Sequence, residues 1–178
     1  MHETNIKKLI RTIPDYPKAG VMFRDITTLL GHVEGFNSVV DALVMYYGDA
    51  DIDFVAGIEA RGFILGGAVA HRLDAAFIPI RKKGKLPWDT IDQEYELEYG
   101  TDSVEIHVDA IERGQKILIV DDLLATGGTA DAAVKLIERI GAEIVGLSFV
   151  IELPDLGGRG RLESGGHDVM SLCTFDGE

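Results

Sequence analysis

Cysteine and tryptophan are rare in this chain of 178 residues, which has one of each. Because a single cysteine, Cys173, cannot form an internal disulfide, the sequence fits a reducing compartment, and we expect a cytoplasmic protein. Long apolar runs are also missing: two of the longest, 63–70 and 144–151, have eight residues each, whereas a membrane helix needs about 20. Residues 1–13 lack the apolar core of a signal peptide, so neither a membrane span nor a secretory signal is expected.

Positive charge is scarce as well. The chain has 17 Lys and Arg residues against 30 Asp and Glu residues, which gives a formal net charge of −13. This balance argues against nucleic acid as a partner, because phosphate backbones are bound by clustered Lys and Arg. With 46% hydrophobic residues, the chain is long enough to bury about 70% of its unfolded surface. We therefore expect one folded domain that comprises residues 1–178.

Apolar residues recur at helical spacing twice in the first 50 positions. The set from Ile6 to Ile13 predicts a short helix that Pro14 ends. A second set predicts a longer helix with one buried face and comprises Phe36, Val39, Val40, Leu43, Val44 and Tyr47. The residues between them, 21–30, are predicted to form a loop or a short strand.

Strands and helices alternate from residue 54 onward. The strand candidates are 54–58, 77–80, 117–120 and 144–151, and the helical segments are 62–73 and 129–140. Near-continuous apolar strands that alternate with helices indicate an α/β fold with a central parallel sheet flanked by helices. The segment 82–99 breaks this rhythm, and we expect a β-rich flap that leaves the sheet, as long insertions of this kind are often functional lids.

The most informative stretch is 116–140, in which an apolar strand leads through DDLLATGGT into a helix. A small-residue loop before a helix binds anions, because free backbone N–H groups and the helix dipole meet there. Gly127 and Gly128 allow positive φ angles, and Thr126 and Thr129 add hydroxyl groups. The loop is not a Walker loop, because the chain has no G-x-x-x-x-G-K-[ST] motif.

Two carboxylates, Asp121 and Asp122, precede this loop. They would repel a phosphate but suit the vicinal hydroxyls of a sugar beside it, so a phosphorylated pentose fits both parts. The structural alternative is a strand-to-helix turn in which the aspartates cap the helix and the glycines allow tight packing.

The segment VDDLLATGGT, 120–129, resembles the ribose-phosphate signature of the type I phosphoribosyltransferases, in the form typical of the adenine-using branch. The resemblance runs from about Asp15 to about Arg161. It implies a type I phosphoribosyltransferase-like sheet with a base-binding hood at 15–30 and a flexible flap at 82–101. It also implies a homodimer that uses adenine, phosphoribosyl pyrophosphate and Mg²⁺. The substrate would carry the ion, with no metal held directly by the protein. The ribose 5-phosphate would be bound by Asp121, Asp122, Ala125, Thr126, Gly127, Gly128 and Thr129.

Other segments carry the same resemblance. GVMFRDIT, 20–27, is similar to the family's base-binding segment, which implies that Met22, Phe23 and Arg24 hold the purine. Leu153 adds an apolar wall or, equally, belongs to the core. IEARGF, 58–63, is similar to the pyrophosphate loop, which assigns Glu59, Ala60 and Arg61 to the pyrophosphate. Ala60 stands where some relatives have Ser.

Four basic residues lie within positions 81–85, and the rest of the chain carries a charge of −17. The cluster forms a local attractor for a polyanion or, alternatively, a solvated basic turn. Under the resemblance, Arg81 and Lys85 bind pyrophosphate and, with Arg61, stabilise the leaving group. EYELEYG, 94–100, resembles the catalytic hood, so Glu98 would exchange a proton with the purine and Tyr99 would help to close the site on the pyrophosphate.

Together the resemblances imply an enzyme that makes AMP and pyrophosphate from adenine and phosphoribosyl pyrophosphate. A transferase for another purine, such as xanthine or guanine, remains an alternative. A nucleotide-sensing regulator of the same fold is a second one, although such regulators usually carry an added nucleic-acid-binding segment or a basic face.

Overall fold

The computed structural model describes residues 3–96 and 100–177. In that part of the chain, the helices are α1 (Glu3–Leu9), α2 (Thr27–Leu30), α3 (Val33–Tyr47), α4 (Arg61–Leu73), α5 (Gly128–Ile140) and α6 (Gly158–Glu163). The strands are β1 (Arg11–Pro14), β2 (Met22–Asp25), β3 (Phe54–Ile58), β4 (Ala76–Lys82), β5 (Thr90–Glu96), β6 (Thr101–His107), β7 (Lys116–Leu124), β8 (Glu143–Glu152) and β9 (Val169–Thr174). A short 3-10 turn spans Pro154–Leu156.

Seven strands form the central sheet in the order β5-β6-β4-β3-β7-β8-β9. Five neighbouring strands, β4, β3, β7, β8 and β9, are mutually parallel, which confirms the predicted α/β fold. β5 and β6 are antiparallel additions at one edge. We expected the flap to leave the sheet. Instead, β6 pairs with the end of β4, and β5 pairs with β6, so both strands belong to the sheet.

Helices cover both faces of the sheet, and β7 shows why its sequence is apolar throughout. Ile117 and Ile119 pack in the cluster that contains α5, whereas Leu118 and Val120 pack in the cluster that contains α3 and α4. Successive strand residues point to opposite faces, so a strand covered on both sides has no polar face. All four of these side chains are fully buried.

Two terminal regions differ from the expectation. The first helix ends at Leu9, and Ile13 lies in β1, where it pairs with Phe23 of β2 in a separate two-stranded sheet. Near the other end, β9 adds a parallel edge strand beside β8 in a stretch where the sequence showed no motif. Both departures come from pairing with distant residues, which local spacing does not record. In the part of the chain that the structure describes, no helix is long and apolar enough to cross a membrane.

Candidate active site

The predicted site residues gather at the carboxyl ends of the parallel strands. Glu59 follows β3, Arg81 lies near the end of β4, the DDLLATGGT stretch ends β7, and Leu153 follows β8. In open α/β sheets this edge is where ligands bind, because the strands end there and the following helices begin there. Segments from four separate parts of the sequence thus meet at one edge.

The loop between β7 and α5 encloses a cavity of about 100 Å³. Its lining includes every predicted loop residue: Ala125, Thr126, Gly127, Gly128 and Thr129. Gly127 caps α5 with φ +77°, and a Cβ there would lie 3.1 Å from the carbonyl oxygen of Gly158. The first N–H groups of a helix lack partners within that helix, so the start of α5 offers donors to an anion.

A larger cavity of about 380 Å³ adjoins the loop. All four predicted base-binding residues line it: Met22, Phe23 and Arg24 from β2, and Leu153. Arg61, Asp122, Ala125 and Thr126 line the same cavity, as do four residues to which the sequence analysis gave no role: Lys18, Val21, Leu123 and Leu156. Val21 and Leu123 lie inside the quoted motifs, whereas Lys18 and Leu156 carry no local signal.

The aromatic wall of this cavity is built around Phe23. The Phe23 ring meets the Tyr16 ring edge-on at 5.2 Å between centroids, and the Arg61 guanidinium lies 5.9 Å from the Phe23 centroid. Arg24 donates to the Thr12 hydroxyl at 2.6 Å and to the Asp176 carbonyl at 3.3 Å. A flat ring with polar groups at its rim is suited to a heteroaromatic base.

The acidic pair lies on a strand, which corrects the expected end of that strand at Val120. β7 continues to Leu124, so Asp121 and Asp122 alternate in direction. Asp122 lines the larger cavity and Asp121 the smaller one. Asp122 is buried and forms an ion pair with Arg61, while Asp121 Oδ1 accepts a hydrogen bond from the Asp122 N–H at 2.8 Å.

Burial shifts the pKa of Asp121 and that of Arg61. Burial, followed by the charge of Asp122, raises the pKa of Asp121 well above its ordinary value. Burial alone would lower the pKa of Arg61, but the hydrogen bond and charge of Asp122 hold it above its ordinary value. The charge of Asp122 therefore raises the pKa of Asp121 and that of Arg61 together.

The loop after β3 places Glu59 against Arg81. Glu59 accepts hydrogen bonds from Arg81 Nε and Nη2, each at 3.1 Å, and from the Lys82 N–H at 3.1 Å. The Arg81 hydrogen bond is the main cause that lowers the pKa of Glu59. The Glu59–Ala60 peptide is cis, and Ala60 is the N-cap of α4 without a side-chain cap.

Within residues 3–96 and 100–177, carboxylate partners are described for three of the four cations at 81–85. Arg81 pairs with Glu59, Lys82 pairs with Asp102, and Lys83 lies 3.0 Å from Asp92. The paired carboxylates neutralise part of the positive charge of this cluster, so its attraction for a polyanion is weaker than its composition indicated. The fourth cation, Lys85, is exposed. Arg81 Nη1 donates a hydrogen bond to the Lys85 carbonyl at 3.0 Å.

Glu98 and Tyr99 lie outside the described residues. The structure does place the end of β5 beside the phosphate-sized cavity: a Cβ on Gly128 would lie 3.5 Å from the Glu96 carbonyl and from Tyr95 Cδ2. Tyr95 is buried, and its hydroxyl accepts a hydrogen bond from Lys82 Nζ at 2.8 Å. The strand that leads toward Glu98 is thus anchored next to the loop.

Comparison with known proteins identifies the family of this chain. The family model for the phosphoribosyl transferase domain matches residues 32–174. The adenine phosphoribosyltransferase of Parvibaculum lavamentivorans is 65% identical over 173 residues, which cover 97% of this chain and 99% of that protein. The crystal structure of adenine phosphoribosyltransferase from Rhodothermus marinus has a TM-score of 0.92 and 50% identity, covering 97% of this chain and 98% of the other.

The Saccharomyces cerevisiae adenine phosphoribosyltransferase, solved with an imino-altritol bisphosphate and adenine, has a TM-score of 0.89 and 36% identity. It covers 96% of this chain and is itself 97% covered. The chain belongs to the phosphoribosyltransferase family. All three of these relatives are named adenine phosphoribosyltransferase. Their similarity to this chain extends beyond the stretch from Asp15 to Arg161.

Proposed function

We propose that this chain transfers the phosphoribosyl group of phosphoribosyl pyrophosphate to N9 of adenine, with AMP and pyrophosphate as products. The observation that carries the proposal is that the two cavities are adjacent and share the lining residues Leu123, Ala125 and Thr126. A nucleoside 5′-monophosphate needs an anion site and an aromatic-walled pocket one pentose apart. Relatives that are 57–65% identical and named adenine phosphoribosyltransferase support the choice of base.

The substrates would divide the site among the residues as follows. The 5′-phosphate occupies the smaller cavity at 125–129, and Asp122 and Asp121 hold the ribose. Adenine lies in the larger cavity against Phe23, between β2 and Leu153, with the backbone of Met22 and Arg24 at its edge. The pyrophosphate faces the ends of β3 and β4 and is bound by Glu59, Ala60, Arg61, Arg81, Lys85 and Tyr99.

In this arrangement the bond between C1 of the ribose and the pyrophosphate oxygen breaks, and its electron pair leaves with the pyrophosphate. Glu98 accepts the proton that N9 of the purine loses, and the electron pair left on N9 forms the new bond to C1. Catalysis is mainly electrostatic, because Arg61, Arg81 and Lys85 stabilise negative charge that grows on the leaving group. Arg61 and Arg81 would give up part of their pairing with Asp122 and Glu59 to reach it.

We propose that Mg²⁺ is bound by the substrate and not by the protein. Among residues 3–96 and 100–177, no three His, Cys, Asp or Glu side chains are arranged to hold a metal ion. Mg²⁺ prefers phosphate oxygens and water to an all-protein cage, so the pyrophosphate and water would carry the ion. When bound, Mg²⁺ neutralises part of the charge on the leaving group.

We also propose a cytoplasmic location, which a single buried cysteine supports.

We further propose a homodimer that covers the apolar patch of Phe63, Ile64 and Phe77. Ile64 is 51% exposed and Phe77 37% exposed, and the rings of Phe63 and Phe77 lie 5.9 Å apart. Arg81 lies 6.0 Å from the Phe63 ring, so a partner at this patch would approach the pyrophosphate side. Sedimentation with and without substrate tests this. A dimer that Ile64→Glu dissociates supports the patch, and a wild-type monomer at micromolar concentration contradicts it.

The decisive experiment for the activity is a Mg²⁺-dependent assay of pyrophosphate release with adenine, hypoxanthine and guanine in parallel. We expect release with adenine, together with AMP. Faster release with guanine or hypoxanthine would assign a different purine. Tight nucleotide binding without turnover would favour a regulator.

A further inference from the structure

Glu105 is a buried carboxylate outside every motif that the sequence analysis used. It lies on β6 and is 3% exposed. Its Oε1 accepts hydrogen bonds from the Lys85 N–H at 2.9 Å and the Leu86 N–H at 2.8 Å. Its Oε2 accepts a longer one from the Thr90 hydroxyl at 3.4 Å. The carboxylate therefore fills the concave side of the turn at residues 83–87.

These donors compensate for the burial of the charge. Burial raises the pKa of Glu105, but hydrogen bonds from the backbone N–H groups of Leu86, Gly84 and Lys85 outweigh it and hold the pKa below its ordinary value. A buried carboxylate with several backbone donors is a fixed anion, and charge-assisted hydrogen bonds of this kind are stronger than neutral ones. The 83–87 turn is thus held to β6 through its own peptide groups.

The Lys85 peptide is held from both sides. Glu105 accepts from its N–H, and Arg81 Nη1 donates to its carbonyl at 3.0 Å. Arg81 is itself fixed by two hydrogen bonds to Glu59 and lies opposite Glu105 in the β4–β6 register. A continuous chain of contacts therefore joins Glu105, Lys85, Arg81 and Glu59.

We propose that Glu105 is a positioning residue for pyrophosphate binding, which fixes the backbone of Lys85 and thereby directs its ammonium group toward the leaving group. The proposal rests on the proposed function, which assigns Lys85 to the pyrophosphate. The Lys85 side chain is long and exposed. The adjacent Gly84 has φ +79°, and a Cβ at this position would meet no atom within 4 Å. The Lys85 N–H also lies 3.3 Å from the Lys82 carbonyl, so Glu105 supplies the shorter, charge-assisted contact at this N–H.

The test compares steady-state kinetics of Glu105→Gln and Glu105→Ala with a matched control, Glu112→Gln. Glu112 is exposed between β6 and β7, so the control removes one carboxylate charge and none of the hydrogen bonds to the 83–87 turn. We expect Glu105→Gln to raise KM for phosphoribosyl pyrophosphate about tenfold, with KM for adenine changed less than about twofold. Glu105→Ala should have a larger effect, because it removes the acceptor altogether. If Glu105→Ala does not fold, Glu105→Gln, which keeps the size and one acceptor, carries the comparison.

A double-mutant cycle with Lys85→Met separates positioning from general stability. If Glu105 acts through Lys85, adding Glu105→Gln to Lys85→Met should change KM for phosphoribosyl pyrophosphate by less than about twofold. Trp88, the single tryptophan of the chain, lies three residues after Lys85 and is 68% exposed. Its fluorescence anisotropy should fall in Glu105→Gln and stay unchanged in Glu112→Gln.

The outcomes distinguish this proposal from the proposed function. Active wild-type enzyme, with Glu105→Gln matching Glu112→Gln in both KM values, would overturn the positioning role and leave the activity intact. Fully additive effects of Glu105→Gln and Lys85→Met would overturn it too. Wild-type protein that makes no AMP would overturn the proposed function and this role with it. A selective rise in KM for phosphoribosyl pyrophosphate that disappears in the Lys85→Met background would establish it.

Discussion

Two arginines on the pyrophosphate side are each held by a carboxylate in this structure. Arg61 pairs with the buried Asp122, and Arg81 forms a two-point contact with Glu59. A guanidinium with an anionic partner stays ordered but must share or exchange that partner to bind another anion. In the proposed reaction the pyrophosphate and the ribose hydroxyls take over these contacts, so the carboxylates keep the arginines in place between turnovers.

Glu98 tests the proton-transfer part of the proposal. We expect Glu98→Ala to bind phosphoribosyl pyrophosphate normally but to lower kcat with adenine by about 10²-fold or more, because general acid–base catalysis contributes roughly that much. Calorimetric titration with phosphoribosyl pyrophosphate and a turnover assay measure the two effects. The control is Glu96→Ala, an exposed carboxylate two positions earlier. Unchanged turnover in Glu98→Ala would remove the role assigned to this residue.

Asp25 links residue chemistry to stability in the hood at 15–30. It accepts hydrogen bonds from Arg11 Nη2 at 2.6 Å, from the Thr27 hydroxyl at 2.7 Å and from the Thr27 N–H at 2.9 Å. The Arg11 hydrogen bond is the largest cause that lowers the pKa of Asp25 from 3.8 to about 2. A lowered pKa stabilises the folded state above the unfolded pKa, and that stability is lost as the pH falls toward the folded pKa.

We therefore expect Asp25→Asn to cost about 1 kcal/mol at pH 7, a value reduced for solvent screening at the half-exposed Arg11. The difference from wild type should be constant from pH 7 to about pH 5 and should shrink between about pH 4 and pH 2. Urea unfolding across this range measures it. The exposed Asp109→Asn serves as the control. A difference that grows as the pH falls would contradict the assignment.

At the scale of elements, the loop between β7 and α5 depends on contact with α6. Gly158 N–H donates to the Ala125 carbonyl at 3.1 Å, and a Cβ on Gly158 would lie 2.2 Å from that same oxygen. Arg159 then fixes the start of α6 through two hydrogen bonds to the buried Glu152, at 2.6 and 2.8 Å. The anion loop is therefore shaped by a helix that follows β8.

Gly127→Ala tests this contact. The new methyl group would combine a left-handed φ of +77° with a contact of 3.1 Å to the Gly158 carbonyl. Gly114→Ala is a matched control, because Gly114 has φ +84° and open space around it. Both should lose about 1–2 kcal/mol of unfolding free energy from the backbone conformation. Only Gly127→Ala should also raise KM for phosphoribosyl pyrophosphate, by about tenfold or more. Equal kinetics in the two variants would contradict a shaped anion loop.

The elements that the sequence predicted are those whose signal is local. Five residues between polar neighbours gave β3 at Phe54–Ile58 without error, and one apolar face gave most of α3. β9 and the role of Ile13 were missed, because their strands are defined by partners about 20 and 10 residues away. In the site, motif residues such as Gly127 and Arg61 carry their own pattern. Glu105 does not, because its partners at 85 and 86 reach it only across the β4–β6 pairing.

At the scale of the whole molecule, part of the acidic excess lies on surfaces away from the proposed site. One example is the open cavity lined by Asp49, Asp51 and Glu143, in which Lys116 is the cation. Lys116 Nζ lies 3.8 Å from Asp51, which is 94% exposed on its side chain. Exposed pairs of this kind contribute little, so the acidic groups mainly repel one another.

This repulsion predicts how stability depends on salt. With a net charge of −13, raising NaCl from about 10 mM to 0.1 M shortens the screening length from about 30 Å to about 10 Å. We expect the urea midpoint to rise over this range, because like charges on the compact state are screened more than in the expanded chain.

The variant Asp49→Asn/Glu143→Gln neutralises two of the 30 acidic residues, which changes the charge from −13 to −11. It should show a higher midpoint at low salt and a smaller rise with NaCl. Sucrose, which strengthens burial without screening charge, should raise the midpoint of both proteins equally. A midpoint that falls with added NaCl would mean that paired charges, such as Arg159 with Glu152, outweigh the excess.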